Sequence, residues 1–366
     1  MRAMNSRTVL VSLVAMWLAG CGGAAPAPAG PSPASSKPAA SAPAPAAAAS
    51  SVKPAAAASG AVALKGSYIT TSPTSAPLWV GREMGIFAKN GLDVSLTSVT
   101  ATAAMPALMA NDTQLASSGA AEVAAADLQG GSVVMIAEGA ALPIFSLYAN
   151  KKYKTIQDLS GKTIGVTSIG AASDTAAHLF LRKFNLEGKV KTVAAGGSSG
   201  TILAAMTQSI IPGGILIPPV TAQAAAAGFV ELVNGVKLGV PLSQGSLSVS
   251  RGFLKNRPDV ANRLLKSYLA SWMYLSNPAN KAAVLKVFEQ YTKTDATKSE
   301  AAYNFMLPLW QSQKVPYLSS QAIGNVLGFL ADPKAKSADP KQFYDNSYLE
   351  AIAKAQGLPG ASAGAA

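Results

Sequence analysis

Residues 154–166 read KTIQDLSGKTIGV and end in a short apolar strand, after which a polar turn at 167–174 leads into a helix. From Ala177, apolar residues recur along that helix at i+3, i+4 and i+7, which is typical of a helix with one buried face. This stretch is one strand–turn–helix unit. It begins the second of two series of such units in the chain.

The first series lies upstream, between residues 66 and 149. Helices follow the first three of its strands, and the second strand shows clear period-two alternation. The strands are predicted at 66–70, 93–97, 114–116, 133–137 and 144–149. Strands that alternate with helices at this spacing form βαβ units and largely parallel sheets. The predicted fold class is therefore α/β.

The first 20 residues are predicted to be a signal peptide. Arg2 and Arg7 provide a positive start, and residues 8–19 are apolar but too short to span a bilayer, which needs about 20 residues. The segment ends in Leu-Ala-Gly-Cys at 18–21, which resembles the lipobox of bacterial lipoproteins, in which the Cys is lipidated. The alternative is an ordinary signal peptide followed by an incidental Cys. Lipidation of Cys21 would place the chain outside the cytoplasm, anchored to a bacterial membrane, in the periplasm or on the outer face of the cell membrane.

Residues 22–64 are predicted to be a disordered tether. They consist almost entirely of Ala, Pro, Ser and Gly, with Lys37 and Lys53 and no acidic residue. Such a segment buries too little apolar surface to offset the entropy of ordering. As a flexible chain it would hold the folded body roughly 35 to 40 Å from the lipid.

Composition excludes several classes of protein. The chain has 30 Lys and Arg against 18 Asp and Glu, a net charge of +12, and a single Cys and a single His. A Cys/His zinc site needs about four ligands, so no transition-metal site is predicted. No cofactor is predicted either. The basic residues are scattered, with no run longer than Lys151-Lys152, so no nucleic-acid partner is predicted.

Three elements resemble one family. Arg82–Phe87 followed by Asn90–Val94 resembles its A-x-E-x-G-x-F-x-x-x-G-L-x-V signature, and residues 154–166 resemble its Leu-x-Gly-Lys element at the start of a second lobe. Residues 251–260, RGFLKNRPDV, resemble its return to the first lobe. The family comprises the periplasmic solute-binding proteins of ABC importers, in the branch for nitrate, alkanesulfonates, taurine and thiamine-precursor pyrimidines. The similarity covers roughly residues 66–292.

The resemblance implies a two-lobed periplasmic-binding-protein fold of type II, in which each lobe is a mostly parallel sheet flanked by helices. We expect two hinge crossings, near 149–152 and near 245–248. The expected parts are lobe 1 at 65–150 plus 246–345, lobe 2 at 151–245, and a C-terminal helix end with a frayed tail at 346–366.

One element departs from the family pattern. The family commonly has Leu-x-x-Gly-x-Val/Ile-Asp-Ala in the second lobe, where this chain has AMTQSIIPGG at 205–214. The following strand, 215–217, and Pro218-Pro219 remain. The fold prediction therefore stands, whereas no specific ligand is predicted.

Three turns are candidate ligand contacts, at 72–75, 117–120 and 167–173. In open parallel sheets the turns after strand ends converge on one crevice, where helix N-termini present free N–H groups. The alternative is that each turn is an ordinary helix N-cap; in the third, Ser173 can cap the helix. The predicted ligand-binding residues are Ser72, Thr74, Ser75, Trp79, Ser118, Gly119, Ala120, Ser168, Gly170, Ala171, Ser173, Asp174, Ser198 and Pro218.

No catalytic residue is predicted. Residues 196–200, GGSSG, match the Gly-x-Ser-x-Gly nucleophile motif, but His178 precedes Ser198, whereas the His of α/β-hydrolases follows the Ser. His178 lies along the helix flank with Asp174 and is predicted to be its surface partner. Relatives of the family include cytosolic pyrimidine-precursor synthases with an active-site His and iron, from which the export signal and the flank position of His178 separate this chain.

The resulting prediction is a monomeric, lipid-anchored receptor. It would capture a small organic solute or an oxyanion between its lobes and deliver it to an ABC importer permease. The alternative is a ligand-sensing subunit of a membrane signalling protein with the same cleft. No Arg lies in the three turns, so a neutral organic solute fits as well as an oxyanion.

Overall fold

The computed structural model describes residues 60–69 and 71–361. The predicted signal peptide, Cys21 and most of the predicted tether lie outside these residues, as does the end of the tail, 362–366. The helices and strands, in chain order, are β1 (Val62–Tyr68), α1 (Ala76–Glu83), α2 (Ile86–Lys89), β2 (Leu92–Ser98), α3 (Ala101–Met109), β3 (Leu115–Ser118), α4 (Ala120–Leu128), β4 (Val133–Ala137), β5 (Ser146–Ala149), β6 (Thr163–Val166), α5 (Ala172–Lys183), β7 (Lys191–Ala194), α6 (Ser199–Thr207), β8 (Gly213–Leu216), α7 (Val220–Ala226), β9 (Val230–Asn234), α8 (Gly235–Leu238), β10 (Ser246–Ser250), α9 (Arg251–Asn256), α10 (Pro258–Ser276), α11 (Lys281–Thr292), α12 (Ala296–Ser312), α13 (Ser320–Leu327) and α14 (Ser347–Ala355).

Two five-stranded sheets form the centres of two lobes, which confirms the predicted α/β class. The first has the order β2-β1-β3-β10-β4 and the second β7-β6-β8-β5-β9. In each sheet the neighbouring pairs among the first three strands are parallel, and the fourth strand is antiparallel to both its neighbours. That fourth strand is the one by which the chain enters the lobe from the other lobe. It arrives from the opposite direction, which is why each sheet is mostly rather than wholly parallel.

The position of β5 corrects one boundary of the sequence interpretation. The sequence pattern places Ser146–Ala149 in lobe 1, but this strand pairs with β8 and β9 of the second sheet. The first crossing therefore lies before Ser146 rather than near 149–152. Periodicity indicates that a segment is a strand, but the choice of sheet depends on partners about 65 to 90 residues away, which periodicity does not report.

The two crossings pair with each other. Ala140 N–H donates to Gln244 O at 2.8 Å, and Gln244 N–H donates to Ala140 O at 3.0 Å. Gly139 packs directly against the backbone of Gly245, so closely that a Cβ at Gly139 would overlap the Gly245 carbonyl. These contacts make residues 139–140 and 244–245 one two-stranded connection between the lobes.

A buried carboxylate reinforces this connection. Glu138 is fully buried, and its Oε1 accepts hydrogen bonds from the N–H groups of Gly139 and Ala140 on one crossing and of Gln244 on the other. The Ser246 hydroxyl also donates to Oε1, at 3.2 Å. Burial raises the pKa of Glu138 to about 7, although the surrounding hydrogen bonds lower it. The hinge region thus contains a carboxyl group that titrates near neutral pH.

Long helices after β10 complete the core of the first lobe. The stripe predicted for α10 is buried as expected; its residues are Val260, Leu264, Leu265, Tyr268, Leu269 and Trp272. It packs with α1, α12 and α14 in one hydrophobic cluster that also contains Trp79 and Trp310. Among the described residues, no helix is long and apolar enough to cross a membrane.

Both ends of the folded body extend further than predicted. The composition predicts a tether that reaches residue 64, but β1 begins at Val62, where residues 62–68 pair with 92–98 of β2. It also predicts a frayed tail, but Leu358 packs against the first-lobe core, and the Tyr317 hydroxyl donates to Pro359 O at 3.2 Å. Small residues at both ends hide these contacts, because composition does not report pairing with distant strands or side chains.

Candidate functional site

A cleft of about 1250 Å³ lies between the lobes. The first lobe contributes the turns after β1, β2 and β3, and the second lobe contributes the turn after β6 together with Gly197 and Ile217. The return crossing, with Gln244 and Gly245, closes one end. The strand-end turns of both sheets therefore meet at a shared cavity, as expected for open parallel sheets.

The turn after β1 is held tightly against the hinge. The Thr74 hydroxyl lies 3.3 Å from that of Ser72, and the hydroxyls of Ser75 and Ser117 are 3.0 Å apart. Gly245 has a φ of +66°, and a Cβ there would overlap the Thr74 side chain. Ser72 and Thr74 line the cleft, whereas Ser75 is buried behind them and joins this turn to β3.

The turn after β3 leads directly into α4. Ser118 and Gly119 line the cleft, and Ala120, the first residue of the helix, is buried outside the lining. The Ser117 hydroxyl donates to Gly245 O at 3.2 Å, and the hydroxyls of Ser118 and Ser248 are 3.2 Å apart. These hydrogen bonds place the α4 N-terminus beside the return crossing.

The turn after β6 supplies most of the second-lobe wall. Ser168, Gly170, Ala171 and Ser173 all line the cleft. Ser173 does not cap α5 as predicted. Its Oγ accepts from Thr167 N–H at 3.0 Å and lies 2.7 Å from the Thr167 hydroxyl, so it closes the turn on itself. The side chain of Asp174 also braces this turn, accepting from Gly170 N–H at 2.8 Å, and does not line the cleft.

Three further predicted residues lie away from the cleft. Trp79 is fully buried in the first lobe, where it stacks on Tyr291 with ring centroids 4.9 Å apart. Ser198 caps α6 through Thr201, and Pro218 is buried. Their chain neighbours Gly197 and Ile217 line the cavity instead. The sequence pattern located the turns at 197–198 and 217–218 to within one residue. Which side chain faces the cavity depended on the residues that pack behind each turn.

His178 takes the role predicted for it. Its Nε2 lies 3.5 Å from Asp174 Oδ1, and its Nδ1 lies 2.9 Å from Glu187 Oε1. The Ser198 hydroxyl hydrogen bonds to Thr201 in the α6 cap. The Gly-Gly-Ser-Ser-Gly motif is therefore a helix N-cap in the described part of the chain.

Glu122 is the cleft residue that the sequence interpretation missed. It lies in the first turn of α4, and its Oε2 is shielded from solvent with no hydrogen-bond partner among the described residues. Burial raises the pKa of Glu122, while the backbone N–H groups of Glu122 and Gly119 lower it. The one sequence signal was its position three residues after the Gly119 N-cap, where a Glu commonly folds back toward the helix start.

Glu122 is also the sole charged side chain among the described residues that line the cleft. Gln244 is the second polar group with unused capacity. It is 4% exposed, its Oε1 accepts from Ile144 N–H at 2.9 Å, and its Nε2 has no partner within the described structure. Glu122 Oε2 and Gln244 Nε2 are therefore a buried acceptor and a buried donor, both without a partner among the described residues, on two residues that line the cleft.

Comparison with known protein families identifies the family of this chain. The NMT1/THI5-like family matches residues 72–282, more than half of the chain. The chain belongs to the NMT1/THI5-like family. This confirms the resemblance drawn from the signature at 82–94 and the elements at 154–166 and 251–260. No curated protein matches significantly in sequence.

Solved structures similar to this member of the NMT1/THI5-like family share its two-lobed fold. A protein of Bordetella bronchiseptica RB50 is 20% identical, with a TM-score of 0.68 over 81% of this chain and 98% of its own. The alkanesulfonate-binding protein SsuA of Xanthomonas axonopodis pv. citri, bound to MOPS, is 15% identical, with a TM-score of 0.63 over 79% of this chain and 100% of its own. The nitrate-binding protein NrtA of Synechocystis PCC 6803 is 12% identical, with a TM-score of 0.63 over 82% and 90%. At these identities the similarity establishes the periplasmic-binding-protein fold.

Proposed function

We propose that this chain is a lipid-anchored extracytoplasmic receptor that captures a small solute between its lobes and delivers it to the permease of an ABC importer. The observation that carries the proposal is the cavity of about 1250 Å³ whose walls come from both lobes and whose end is formed by the paired crossings. A ligand that touches both walls favours the closed arrangement, because it binds that arrangement more tightly than an open one.

The similarity to binding proteins for alkanesulfonates and nitrate supports this role. The lining also supports it, since most of the walls are hydroxyl groups, backbone turns and apolar side chains, and the larger polar side chains among them are Glu122, Gln129 and Gln244. Catalysis is not part of the proposal, and no cofactor is required by it. Delivery to a permease would need recognition of the closed form, in which the two lobes present their outer surfaces in a fixed relation.

Membrane attachment through Cys21 is the second part of the proposal. The lipobox-like Leu-Ala-Gly-Cys at 18–21 supports it, and the Ala- and Pro-rich segment that follows would allow the body to reach a permease. Metabolic labelling with an alkyne fatty acid tests it. We expect label on the wild-type chain and none on Cys21→Ser; equal labelling of both would contradict lipidation at this site.

Ligand capture is tested by thermal unfolding of the purified protein against sulfonates, nitrate, carboxylates, pyrimidines, alcohols, amines and short peptides. A ligand that binds the native state alone stabilises it by about 2.7 kcal/mol at 100 times its Kd. We expect a clear increase in Tm with one chemical class. The absence of an increase with every class, in a protein that unfolds cooperatively, would contradict the receptor function.

Two isoleucines of the second lobe provide a matched pair of variants. Ile169 is 62% exposed and lines the cleft, whereas Ile210 is 69% exposed and does not. Removing an apolar contact weakens binding by up to about tenfold. We therefore expect Ile169→Ser to weaken the binding of the identified ligand and Ile210→Ser to leave it unchanged. Equal effects would place the ligand outside this cleft.

A further inference from the structure

We propose that the solute is an organic amine with a large apolar body, whose nitrogen donates to the Glu122 carboxylate and whose acceptor group faces Gln244. This inference rests on the proposed function and specifies the ligand class. It differs from the anions named for the structurally similar sulfonate- and nitrate-binding proteins.

The charge of the cleft is the first argument. Among the described lining residues there is one carboxylate and neither Lys nor Arg. An oxyanion bound here would have backbone N–H groups and hydroxyls but no cation to compensate it, and it would share the cavity with Glu122. A protonated amine would instead provide the opposite charge that this carboxylate lacks.

The unpartnered oxygen of Glu122 is the second argument. One role of this side chain is local, since it folds back toward Gly119 at the start of its own helix. Oε2 is the oxygen that faces Gly119, so closely that a Cβ there would overlap it, yet it has no hydrogen-bond partner among the described residues and solvent does not reach it. Buried polar atoms are normally hydrogen bonded, so this acceptor is left unsatisfied, and a donor on a ligand would satisfy it once the Glu122 side chain turns toward the cleft that it lines.

The Glu122 carboxylate, which folds back toward the start of α4, also changes the charge at the N-terminus of that helix. The N–H groups of a helix start and its partial positive charge attract anions. Here the Glu122 carboxylate lies at that position, with Oε2 turned toward Gly119, and the N–H groups of Gly119 and Glu122 lower its pKa against the opposing effect of burial. The helix terminus that a sulfonate or nitrate would use in the first lobe is thus occupied by the protein's own anion.

The opposite partner is Gln244. Its Nε2 is an unused donor at the return crossing, and the hydrogen bond from Ser117 to Gly245 places that crossing beside the turn that leads to Glu122. A ligand group at this point must therefore accept a hydrogen bond. A carbonyl, ether or hydroxyl oxygen near the amine meets this requirement.

The remaining wall offers a sizeable apolar surface to the ligand. Met105 and Met109 face the cavity from α3, and Ile144, Phe145, Ile169 and Ile217 contribute apolar surface from the crossing and the second lobe. Small-molecule sites commonly have volumes of about 300–1,000 Å³, so this cleft of about 1250 Å³ is large. Nitrate or a two-carbon sulfonate would leave most of this apolar surface without contact.

Three probes with one body and different heads test the proposal: 4-phenylbutylamine, 4-phenylbutan-1-ol and 4-phenylbutane-1-sulfonate. Their Kd values are measured by calorimetry on the purified wild-type protein, on Glu122→Gln and on Asp127→Asn. Asp127 is the matched control, because it lies on the same helix, pairs with Arg251 at 3.6 Å and does not line the cleft. Unfolding without ligand confirms that each variant is folded.

We expect the amine to bind most tightly and the sulfonate most weakly. Loss of a hydrogen bond to a charged group should weaken amine binding by about 10- to 100-fold in Glu122→Gln. The same variant should leave the alcohol nearly unchanged and improve the sulfonate, and Asp127→Asn should resemble wild type. Preference for the sulfonate, or amine affinity independent of Glu122, would overturn the inference.

Failure of the inference is distinguishable from failure of the proposed function. If none of the three probes binds but an anionic or neutral class raises Tm in the ligand panel, the ligand class is wrong and the receptor function stands. If neither the probes nor any class of the panel binds, both are wrong.

Discussion

The two lobes contain sheets of the same strand order but are stabilised differently. In the first lobe the sheet is covered by α1, α10, α12 and α14, which enclose Trp79, Trp272 and Trp310 at 0–1% exposure. In the second lobe the edge strand β7 is largely exposed, and Val193 and Ile210 reach 39% and 69% exposure. The shared sheet topology determines where the turns of the cleft lie. The additional helices of the first lobe determine how the stability of the two lobes differs.

The aromatic cluster shows this difference most clearly. Trp79 stacks on Tyr291, meets Phe288 edge-on at a centroid distance of 6.2 Å and lies 5.6 Å from Tyr68. The second lobe has no tryptophan among its described residues. Ile202, Met206 and Leu216 form a small buried cluster there, and Phe180 of α5 belongs to a larger cluster that includes first-lobe residues. Since burial of large side chains dominates stability, the first lobe should act as the firm support and the second as the weaker partner.

The largest expected effect on stability comes from a substitution that disrupts the aromatic cluster. Trp79→Ala leaves a cavity in the first-lobe core and should lower the free energy of unfolding by about 3–5 kcal/mol, measured by urea unfolding. Met273→Ala, at a residue 45% exposed on α10, is the control and should change it by under about 0.5 kcal/mol. The comparison of the lobes fails if Ile202→Ala in the second lobe costs more than Trp79→Ala.

The next effect concerns the connection between the lobes. The pKa of Glu138 is about 7 in the folded chain and 4.5 in its ordinary state, so between these values the folded chain binds more protons than the unfolded chain. Stability should therefore fall as pH rises from about 4.5 to about 7 and then level off. Glu138→Gln keeps an acceptor at Oε1 and removes the charge. It should stabilise the protein by about 1 kcal/mol at pH 5 and on the order of 3 kcal/mol at pH 8.

Urea unfolding across this pH range measures the Glu138 effect. Glu300→Gln, at an exposed carboxylate that pairs with Lys281, reports the effect of the substitution itself. A difference between wild type and Glu138→Gln that does not change with pH would show that the buried carboxyl does not titrate in this range.

A smaller effect is expected in the second-lobe wall of the cleft. Gly170 has a φ of +79°, and no atom lies within 4 Å of the position that a Cβ would take, so Gly170→Ala introduces backbone strain without a steric clash. It should cost about 1–2 kcal/mol in thermal unfolding. Gly197→Ala, in the same wall with open space and without a positive φ, should be nearly neutral. Equal costs would show that the turn relaxes.

The smallest effect on stability is expected for a substitution at the surface of the second lobe. His178 contacts Asp174 and Glu187 and is partly exposed, and such pairs contribute about 0.2–1 kcal/mol. His178→Ala should lower stability by no more than this and leave ligand affinity unchanged. Loss of ligand binding in this variant, with the fold retained, would assign His178 a role that its position does not indicate.

Much of the fold could be predicted because it depends on local patterns. The apolar stripe of α10 and the alternation of β2 are visible in the sequence, and both elements form with buried residues at the expected positions. The turn after β6 is also located correctly, since small residues between a strand and a helix are a local signal. Asp174 and Ser173 are found in this way, but their actual hydrogen bonds close the turn.

The sequence by itself determined the family, the α/β class and the turns that surround the cleft, because strand alternation, helix periodicity and motif spacing are properties of neighbouring residues. Tertiary structure alone decided that β5 joins the second sheet, that Trp79 is buried in the first lobe and that Glu122 lines the cleft with one oxygen that has no hydrogen-bond partner among the described residues. Each of these depends on which distant segment packs against the residue, and the burial of a polar atom is set by that packing.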